Sequence, residues 1–192
     1  MKKALIGAGG HAKEVMMQMG RVLPCFVDDN YVDENSLPIS SFDPNKYQVL
    51  IAIGNSESRC SIIDSLPKKT QYFSFIHPTS IIGNNVSIGE GSFIGAFSII
   101  TTDIQIGKHT LLNRGNHIGH DSKIGDYFSM MPCAVIGGSV IIGNNVYMGS
   151  CSNIREKIDI TSNVVIGMNT AVVKNITESG TYVGVPCKKL NK

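Results

Sequence analysis

Two histidines and an aspartate form the most reactive group of side chains in the sequence. His117 and His120 flank Gly119, and Asp121 directly follows His120. A carboxylate beside an imidazole orients the ring and stabilises its protonated form, which suits a general base that accepts a proton from an attacking amine or hydroxyl. We therefore predict that His120 is such a base and that Asp121 supports it, with His117 as the next residue to test.

A second group of residues is suited to binding phosphate. The letters GAGGHA begin at Gly7, after a short apolar run and before a segment with helical character. Glycines let the backbone approach a phosphate, and the free N–H groups of a helix N-terminus attract anions. Asp28 and Asp29 follow the next apolar run, at the distance of about 20 residues typical of an acid that binds a ribose hydroxyl. The turn and the two aspartates therefore predict a nucleotide site.

The elements around this turn predict a small α/β unit. Only about 70 residues precede the repeat described next, which suffices for one mononucleotide-binding half but not for the two halves that a dinucleotide needs. The predicted elements are strands at Lys3–Ile6, Cys25–Val27, Val49–Ile53 and Tyr72–Phe75, and helices at Ala12–Met19 and Ser56–Leu66, the second of them capped by Asn55.

A repeat of six residues governs the rest of the chain. Every sixth residue from Ile82 to Val172 is aliphatic, a glycine usually follows it, and a small or β-branched residue usually stands two places before it. Neither an α-helix nor an ordinary strand has this period. The repeat predicts a parallel β-helix of short strands, in which the aliphatic residue points inward and the glycine takes a turn that requires a positive φ angle.

This repeat resembles that of the hexapeptide-repeat acyltransferases, whose fold is a left-handed triangular β-helix in which residues three repeats apart stack. The GAGGHA start, the VDD after the second strand, the AIGN at Ala52–Asn55 and the FIHPTS before the repeat make the whole chain similar to sugar acetyltransferases of the PglD/NeuD type. We therefore expect an α/β Rossmann-like half domain that binds a nucleotide sugar at residues 1–75. An all-β left-handed parallel β-helix with a C-terminal tail would follow at 76–192.

The resemblance also implies roles for residues around His120. In the related enzymes an asparagine stands seven residues before the catalytic histidine, and this chain has Asn113 there. One coil beyond His120 the stack places Gly138, whose missing side chain leaves room for a substrate, and N–H groups near Gly137 and Gly138 would face the oxyanion. Some relatives carry a second histidine nine residues after the base, where this chain has Ser129.

The remaining assignments concern the two substrates that the resemblance implies, a nucleotide sugar and acetyl-CoA. The pantetheine is expected along the edge of the later coils, and the phosphates of coenzyme A near Lys188 and Lys189 towards the end of the chain. The residues assigned to the nucleotide sugar are Gly9, Gly10, His11, Asp28, Asp29, Gly54, Asn55 and His117. Those assigned to acetyl-CoA are Ser129, Gly138, Ser150, Gly167, Met168, Lys188 and Lys189.

The first functional hypothesis is an acetyl-CoA-dependent N-acetyltransferase acting on a nucleotide-linked amino sugar for bacterial surface glycans. The resemblance suggests a UDP- or dTDP-4-amino-4,6-dideoxy sugar. One alternative is O-acetylation of sialic acid or another sugar. Another is a metal enzyme of the γ-carbonic anhydrase kind, although the close spacing of His117 and His120 argues against three histidine ligands converging between subunits. A third is a nucleotide-sugar sensor without catalysis.

Composition excludes several other classes of protein. The chain has 192 residues, a formal net charge of +2 and five scattered cysteines. These values predict no nucleic-acid partner, no membrane insertion, no metal and reduced thiols in the cytoplasm. Outward apolar residues such as Phe97 and Tyr147 need to be covered by another subunit. We therefore expect a homotrimer, which the resembled family usually forms. Among the other histidines, we expect His77 to shape the entry to the β-helix and His109 to be solvated.

Overall fold

The N-terminal unit is a parallel sheet with one helix on each face. The computed structural model describes residues 1–190, so the end of the predicted second domain lies outside the described residues. The elements of this unit are β1 (Lys2–Ile6), α1 (Gly10–Met19), β2 (Cys25–Val27), β3 (Leu37–Pro38), β4 (Tyr47–Ile51), α2 (Ser56–Ser65) and β5 (Gln71–Tyr72). The strands lie in the order β3-β2-β1-β4-β5, and all pairs are parallel.

Successive residues of the central strands bury opposite faces of this sheet, because side chains alternate along a strand. Leu5 packs with Ala12 and Val15 of α1. Its neighbour Ile6 lies in the core of the other face, against which Ile62 of α2 packs. The sheet is therefore covered on both sides, as a parallel sheet requires.

The rest of the described chain is a β-helix of very short strands. They are β6 (Phe75–Ile76), β7 (Ile81–Ile82), β8 (Ser87–Ile88), β9 (Phe93–Ile94), β10 (Ile99–Ile100), β11 (Gln105–Ile106), β12 (Leu111–Leu112), β13 (His117–Ile118), β14 (Lys123–Ile124), β15 (Ser129–Met130), β16 (Val135–Ile136), β17 (Ile141–Ile142), β18 (Tyr147–Met148), β19 (Asn153–Ile154), β20 (Asp159–Ile160), β21 (Val164–Ile166), β22 (Ala171–Val172), β23 (Gly180–Val183) and β24 (Lys188–Lys189).

These strands form the three faces of a triangular prism. The first face contains β6, β9, β12, β15, β18, β21, β23 and β24, the second β7, β10, β13, β16, β19 and β22, and the third β8, β11, β14, β17 and β20. Ile100 pairs with Ile118, and Ile118 with Ile136, so residues one coil apart stack as predicted. The predicted fold class, a Rossmann-like unit followed by a left-handed β-helix, is confirmed.

The inward aliphatic residues fill the prism, but the turns differ from the prediction. The glycines that follow them do not have positive φ angles; those angles fall two residues later, mostly at non-glycine positions such as Asp103 (56°) and Asp121 (62°). A side chain on the repeat glycine is excluded for another reason: a Cβ on Gly119 would lie 2.5 Å from the Gly137 carbonyl carbon of the next coil. Close approach of two coils, rather than φ, therefore requires glycine there.

The end of the N-terminal unit also differs from the prediction. The predicted strand Tyr72–Phe75 is divided between β5, which completes the N-terminal sheet, and β6, which begins the first face of the prism. The short strand β3 carried no clear signal in the sequence. Within residues 1–190, neither helix is long and apolar enough to cross a membrane.

Candidate active site

His120 and Asp121 lie on the corner between the second and third faces. The His120 Nδ1 atom is 2.7 Å from Asp121 Oδ2, and both side chains are mostly exposed. The Asp121 N–H donates to the Thr102 carbonyl on the previous coil, which holds this corner in place. Because the carboxylate engages Nδ1, the Nε2 atom remains available to a substrate.

Gly138 stacks on His120 as predicted, but the imidazole itself fills the room that was expected for a substrate. A Cβ built on Gly138 would lie 2.7 Å from His120 Nε2 and Cε1, so any larger residue would displace the ring. The neighbouring Gly137 N–H donates to the Ile154 carbonyl at 2.9 Å. It is therefore not free to stabilise an oxyanion, and Gly138 is the remaining candidate of that pair.

His117 lies outward on the second face, between Ile99 and Val135 of the adjacent coils. Its side chain is exposed and does not share the corner of His120. The two histidines thus project from different parts of one coil.

A cavity of about 400 Å³ opens at the carboxyl ends of the N-terminal strands. Its wall is mostly apolar, and its polar groups include Asp28, Tyr31, Ser65 and the backbone of Gly7 and Gly9. Ligands of open parallel sheets bind at this edge. The cavity is therefore the place where a nucleotide would fit.

The glycine turn has two distinct uses. Gly7 has a φ of 107°, and a Cβ there would lie 3.0 Å from the Ala52 carbonyl oxygen, so this glycine permits close packing of two loops. A Cβ on Gly9 or Gly10 would meet no atom within 4 Å. Gly9 also caps α1 without a side-chain hydrogen bond, which leaves the N–H groups of the first helical turn open to an anion.

The His11 ring turns away from this turn and towards the β-helix. It packs edge-on against Phe93, and its Nδ1 lies 3.6 Å from Glu14 Oε2. Its Nε2 is buried and has no hydrogen-bond partner among residues 1–190, and burial lowers the pKa of His11. The predicted phosphate contact of this side chain is therefore wrong.

Asp28 and Asp29, which were both predicted to bind the nucleotide, have different surroundings. Asp28 lines the cavity, and its Oδ1 accepts from the Asn30 N–H at 2.9 Å. Asp29 instead accepts from the Ser40 N–H at 3.1 Å, and hydrogen bonds from Ser40 lower the pKa of Asp29. Asp29 therefore holds a loop and does not line the cavity, so Asp28 is the better placed of the two for a nucleotide.

Asn113 lies at the corner between the first and second faces. His120 lies at the next corner of the prism, between the second and third faces. The Asn113 Nδ2 atom donates to Glu14 Oε2 at 3.2 Å, and its Oδ1 accepts from the Arg114 N–H at 2.8 Å. Burial acts to raise the pKa of Glu14, but hydrogen bonds from Asn113 and His11 lower it overall. The predicted grouping of Asn113 with His120 is absent within the described protomer.

The N-terminal unit covers the first face of the prism. Phe93, Leu111 and Ser129, which point outward from this face, are buried. His109, which was expected to be solvated, is 4% exposed. It stacks on Tyr127, with ring centroids 5.7 Å apart, and burial lowers the pKa of His109 to about 4. The predicted solvation of His109 is therefore wrong.

Ser129 belongs to this interface and not to an acetyl-CoA groove. Its hydroxyl donates to the Gly54 carbonyl at 3.0 Å and accepts from Arg59 Nη2 at 2.9 Å. With its hydrogen bonds satisfied in a buried place, the hydroxyl cannot position an acetyl group, so that assignment is wrong. Arg59 was not singled out from the sequence, because a lone arginine in a helix carries no signal of burial.

Gly54 and Asn55 also have structural roles. The Gly54 carbonyl accepts from Ser129, and Asn55 caps α2 by accepting from the Ser58 N–H at 2.8 Å. His77 Nδ1 accepts from the Thr79 N–H at 3.2 Å and so shapes the first turn of the β-helix, as expected.

Most of the predicted acetyl-CoA residues lie at the corner between the first and second faces or at the end of the prism, whereas Gly138 lies on the corner of His120 and Ser129 on the first face. Ser150 and Met168 stack on successive coils, since the Asn169 N–H donates to the Ser150 carbonyl. A Cβ on Gly167 would lie 2.8 Å from Val183, so this glycine allows β23 to approach. Lys189 pairs with Glu178 at 2.8 Å, whereas Lys188 borders a cavity of about 270 Å³.

The topology separates the two halves of the predicted site. The nucleotide cavity belongs to the unit that covers the first face, whereas His120 lies on the opposite corner, between the second and third faces. Among residues 1–190, no three or more His, Cys, Asp or Glu side chains are grouped so that they could hold a metal ion.

Comparisons with known proteins agree with this architecture. Residues 2–66 match the family model of the PglD N-terminal domain. This segment is therefore similar to PglD N-terminal domains. WeeI from Acinetobacter baumannii AYE is 28% identical with a TM-score of 0.86, over 99% of this chain and 100% of that one. The resemblance of the chain to the PglD type, made from its motifs, is confirmed.

Two further solved structures match almost the whole chain. A variant of perosamine N-acetyltransferase from Caulobacter crescentus, in complex with CoA and GDP-perosamine, is 22% identical with a TM-score of 0.87, covering 100% of this chain and 98% of that one. The acetyltransferase domain of PglB from Neisseria gonorrhoeae FA1090, in complex with acetyl coenzyme A, is 24% identical with a TM-score of 0.84 and 98% coverage of both. A search of curated protein sequences finds no match.

Proposed function

We propose that this protein transfers the acetyl group of acetyl-CoA to the amine of a nucleotide-linked amino sugar. The observation that carries the proposal is the exposed His120–Asp121 pair, with its Nδ1–Oδ2 distance of 2.7 Å, whose imidazole lies against Gly138. Support also comes from the similar structures, which contain coenzyme A, acetyl coenzyme A or GDP-perosamine.

In this reaction the neutral amine attacks the thioester carbonyl directly. The new C–N bond forms and the C–S bond breaks, so that coenzyme A leaves as a thiol and the sugar carries an amide. His120 accepts the proton that the nitrogen loses, and Asp121 stabilises the resulting imidazolium. The imidazolium then gives this proton to the departing sulfur. The Gly138 N–H would face the oxyanion of the tetrahedral intermediate.

The nucleotide is proposed to occupy the cavity of the N-terminal unit. The apolar wall would hold the base, Asp28 would accept from a base N–H or a ribose hydroxyl, and the free N–H groups at Gly9 and Gly10 would bind the diphosphate. A UDP- or dTDP-4-amino-4,6-dideoxy sugar fits this arrangement, as does a GDP-linked amino sugar like that in the perosamine enzyme complex.

The site is proposed to assemble between protomers of a homotrimer. The nucleotide cavity and His120 lie on opposite sides of one prism, so the sugar on one protomer would meet His120 of a neighbour. Exposed apolar side chains support such contacts, including Phe97 at 68% and Ile81 at 61% exposed. Cyclic symmetry would then create three equal sites. In each, pantetheine would run past Ser150 and Met168, with the coenzyme A phosphates near Lys188.

The decisive experiment measures release of the coenzyme A thiol from acetyl-CoA with UDP-, dTDP- and GDP-linked amino sugars, and identifies the acetylated product by mass spectrometry. We expect turnover with one of these nucleotides and none with the matching hydroxy sugar. Acetylation of the hydroxy sugar alone would contradict an N-acetyltransferase.

The assembly between protomers can be tested separately. We expect a trimer by light scattering. At a nucleotide-sugar concentration well below its KM, where both variants are impaired, we expect His120→Ala and Asp28→Ala proteins refolded together to exceed the sum of their separate activities. Mixed trimers would contain sites in which both residues are intact. A monomer, or a mixture that does not exceed that sum, would contradict the shared site.

A further inference from the structure

Arg59 is a charged residue buried in the contact between the two units of the protein. It lies in α2 and is 1% exposed. No Asp or Glu within residues 1–190 forms an ion pair with it, and burial lowers its pKa to about 10. A buried guanidinium without a carboxylate costs stability unless its N–H groups are satisfied.

Its donors are satisfied by acceptors from both units. On the N-terminal side, Nη1 donates to the carbonyls of Ile53 at 2.8 Å and Gly54 at 3.3 Å. On the β-helix side, Nε donates to the His109 carbonyl at 2.9 Å. Nη2 donates to the Tyr127 carbonyl at 2.9 Å, the Phe128 carbonyl at 3.1 Å and the Ser129 hydroxyl at 2.9 Å.

The acceptors on both sides belong to functional segments. Ile53 lines the nucleotide cavity, so the first set of bonds attaches Arg59 beside that cavity. Residues 127–129 close the same coil that carries His120, a few residues further along the chain. Arg59 therefore ties the nucleotide cavity to the level of the His120 coil along the axis of the prism.

The height of the nucleotide cavity along the prism matters when the active site is formed by two protomers. Rotation about an axis parallel to the prism leaves heights along that axis unchanged, so in a cyclic trimer His120 of every protomer lies at one height. A unit attached at that height would present its sugar to the neighbouring His120, whereas a small displacement would separate the amine from the thioester. Misplacement by about 1 Å can lower a rate by about 100-fold.

We propose that Arg59 is a positioning residue that sets the height of the nucleotide-binding unit relative to His120, and that Ser129 completes its network. The proposal rests on the proposed function and on the shared site. Arg59 touches neither the cavity contents nor the reacting atoms; it acts through Ile53, Gly54 and the coil that carries His120.

The test compares Arg59→Met, Arg59→Lys and Ser129→Ala with the wild-type protein. Lysine has three donors in place of the guanidinium fork and cannot reach both sets of carbonyls. With the nucleotide amino sugar, we expect kcat to fall about 100-fold in Arg59→Met, about 10-fold in Arg59→Lys and less in Ser129→Ala. Lys108→Met, which removes an exposed ion pair with Glu90 near the same contact, is the matched control and should retain wild-type kcat.

Two further measurements distinguish positioning from general damage. Binding of the free nucleoside diphosphate and of acetyl-CoA by calorimetry should remain within about twofold of wild type in all variants. Acetyl transfer to hydroxylamine, a small amine that does not need the nucleotide unit, should also be unchanged. Equal losses in nucleotide binding, hydroxylamine acetylation and sugar acetylation would overturn the proposal in favour of a purely structural role.

A wild-type kcat in Arg59→Lys would also overturn the proposal that Arg59 is a positioning residue. If Arg59→Met does not fold, Arg59→Lys and Ser129→Ala decide the matter, since each keeps part of the network. Failure of the proposed function is distinguishable, because the wild-type protein would then acetylate no nucleotide amino sugar before any variant was compared.

Discussion

Two corners of the β-helix carry histidines in opposite environments. His120 is exposed, has a carboxylate at 2.7 Å and lies against Gly138, which has no side chain. His109, two corners back along the chain, is 4% exposed and lies between Tyr72 and Tyr127. The same backbone repeat therefore supports either chemistry or packing, and the difference depends on what covers the corner. The N-terminal unit covers one corner and leaves the other free.

The strongest test of this difference is His120→Ala. Loss of a general base lowers kcat by about 10²–10⁴-fold, and acetyl-CoA binding should be retained because the groove remains. Steady-state kinetics with the nucleotide amino sugar and calorimetry with acetyl-CoA measure the two effects. His117→Ala is the control on the same coil, and its kcat should fall far less. A near-normal kcat in His120→Ala would show that another residue is the general base.

His109 should control stability and not turnover. Its pKa is about 4 in the folded protein against the ordinary 6.5, so between these values the unfolded chain binds more protons. Its stabilising effect is therefore complete above pH 6.5 and is lost as the pH falls towards 4, with a loss of about 3 kcal/mol at most.

The neutral variant His109→Gln cannot take up this proton. Urea unfolding at pH 7 and pH 4.5 should therefore show a smaller loss of stability for His109→Gln than for the wild-type protein. An identical pH dependence in both proteins would show that the pKa of His109 is the same in the folded and unfolded protein and that this side chain is exposed to solvent.

Gly138→Ala tests whether the active corner depends on an absent side chain. A new Cβ would meet the His120 ring at 2.7 Å and displace it, and a displacement of about 1 Å corresponds to about a 100-fold loss of kcat. Ser139→Ala, at the next position, is the control. An unchanged kcat in Gly138→Ala would mean that the His120 ring can move without loss of activity.

Asp28→Asn should have the smallest effect, and it should fall on the nucleotide sugar alone. Losing one hydrogen bond to a charged acceptor costs about 1.5 kcal/mol or more, equivalent to about a tenfold rise in KM. The KM for acetyl-CoA should not change. Asp29→Asn, whose carboxylate accepts from the Ser40 N–H and does not line the cavity, should leave the KM for the nucleotide sugar near wild type; a larger effect for Asp29 than for Asp28 would reverse the assignment.

Local patterns in the sequence determined the elements, and periodicity determined the stack. The aliphatic residues at every sixth position predicted the inward columns, and the same register placed Gly138 beside His120. The glycine turn, the Asn55 cap and the strand at Cys25–Val27 were also predicted, because each depends on residues near one another in the chain. A positive φ at the repeat glycines was wrong, since the requirement there arises from contact with the next coil.

Only the tertiary structure decided which outward positions are covered. His109, Ser129 and Arg59 look in sequence like ordinary polar residues, yet they lie in the contact between the two units, some 50 to 70 residues apart along the chain. His11 and Asp29 belong to motifs that predict nucleotide contacts, but their side chains turn to Glu14 and Ser40. A repeat specifies which residues point outward from a prism, whereas the docking of another unit on one face depends on contacts between distant segments that no local pattern encodes.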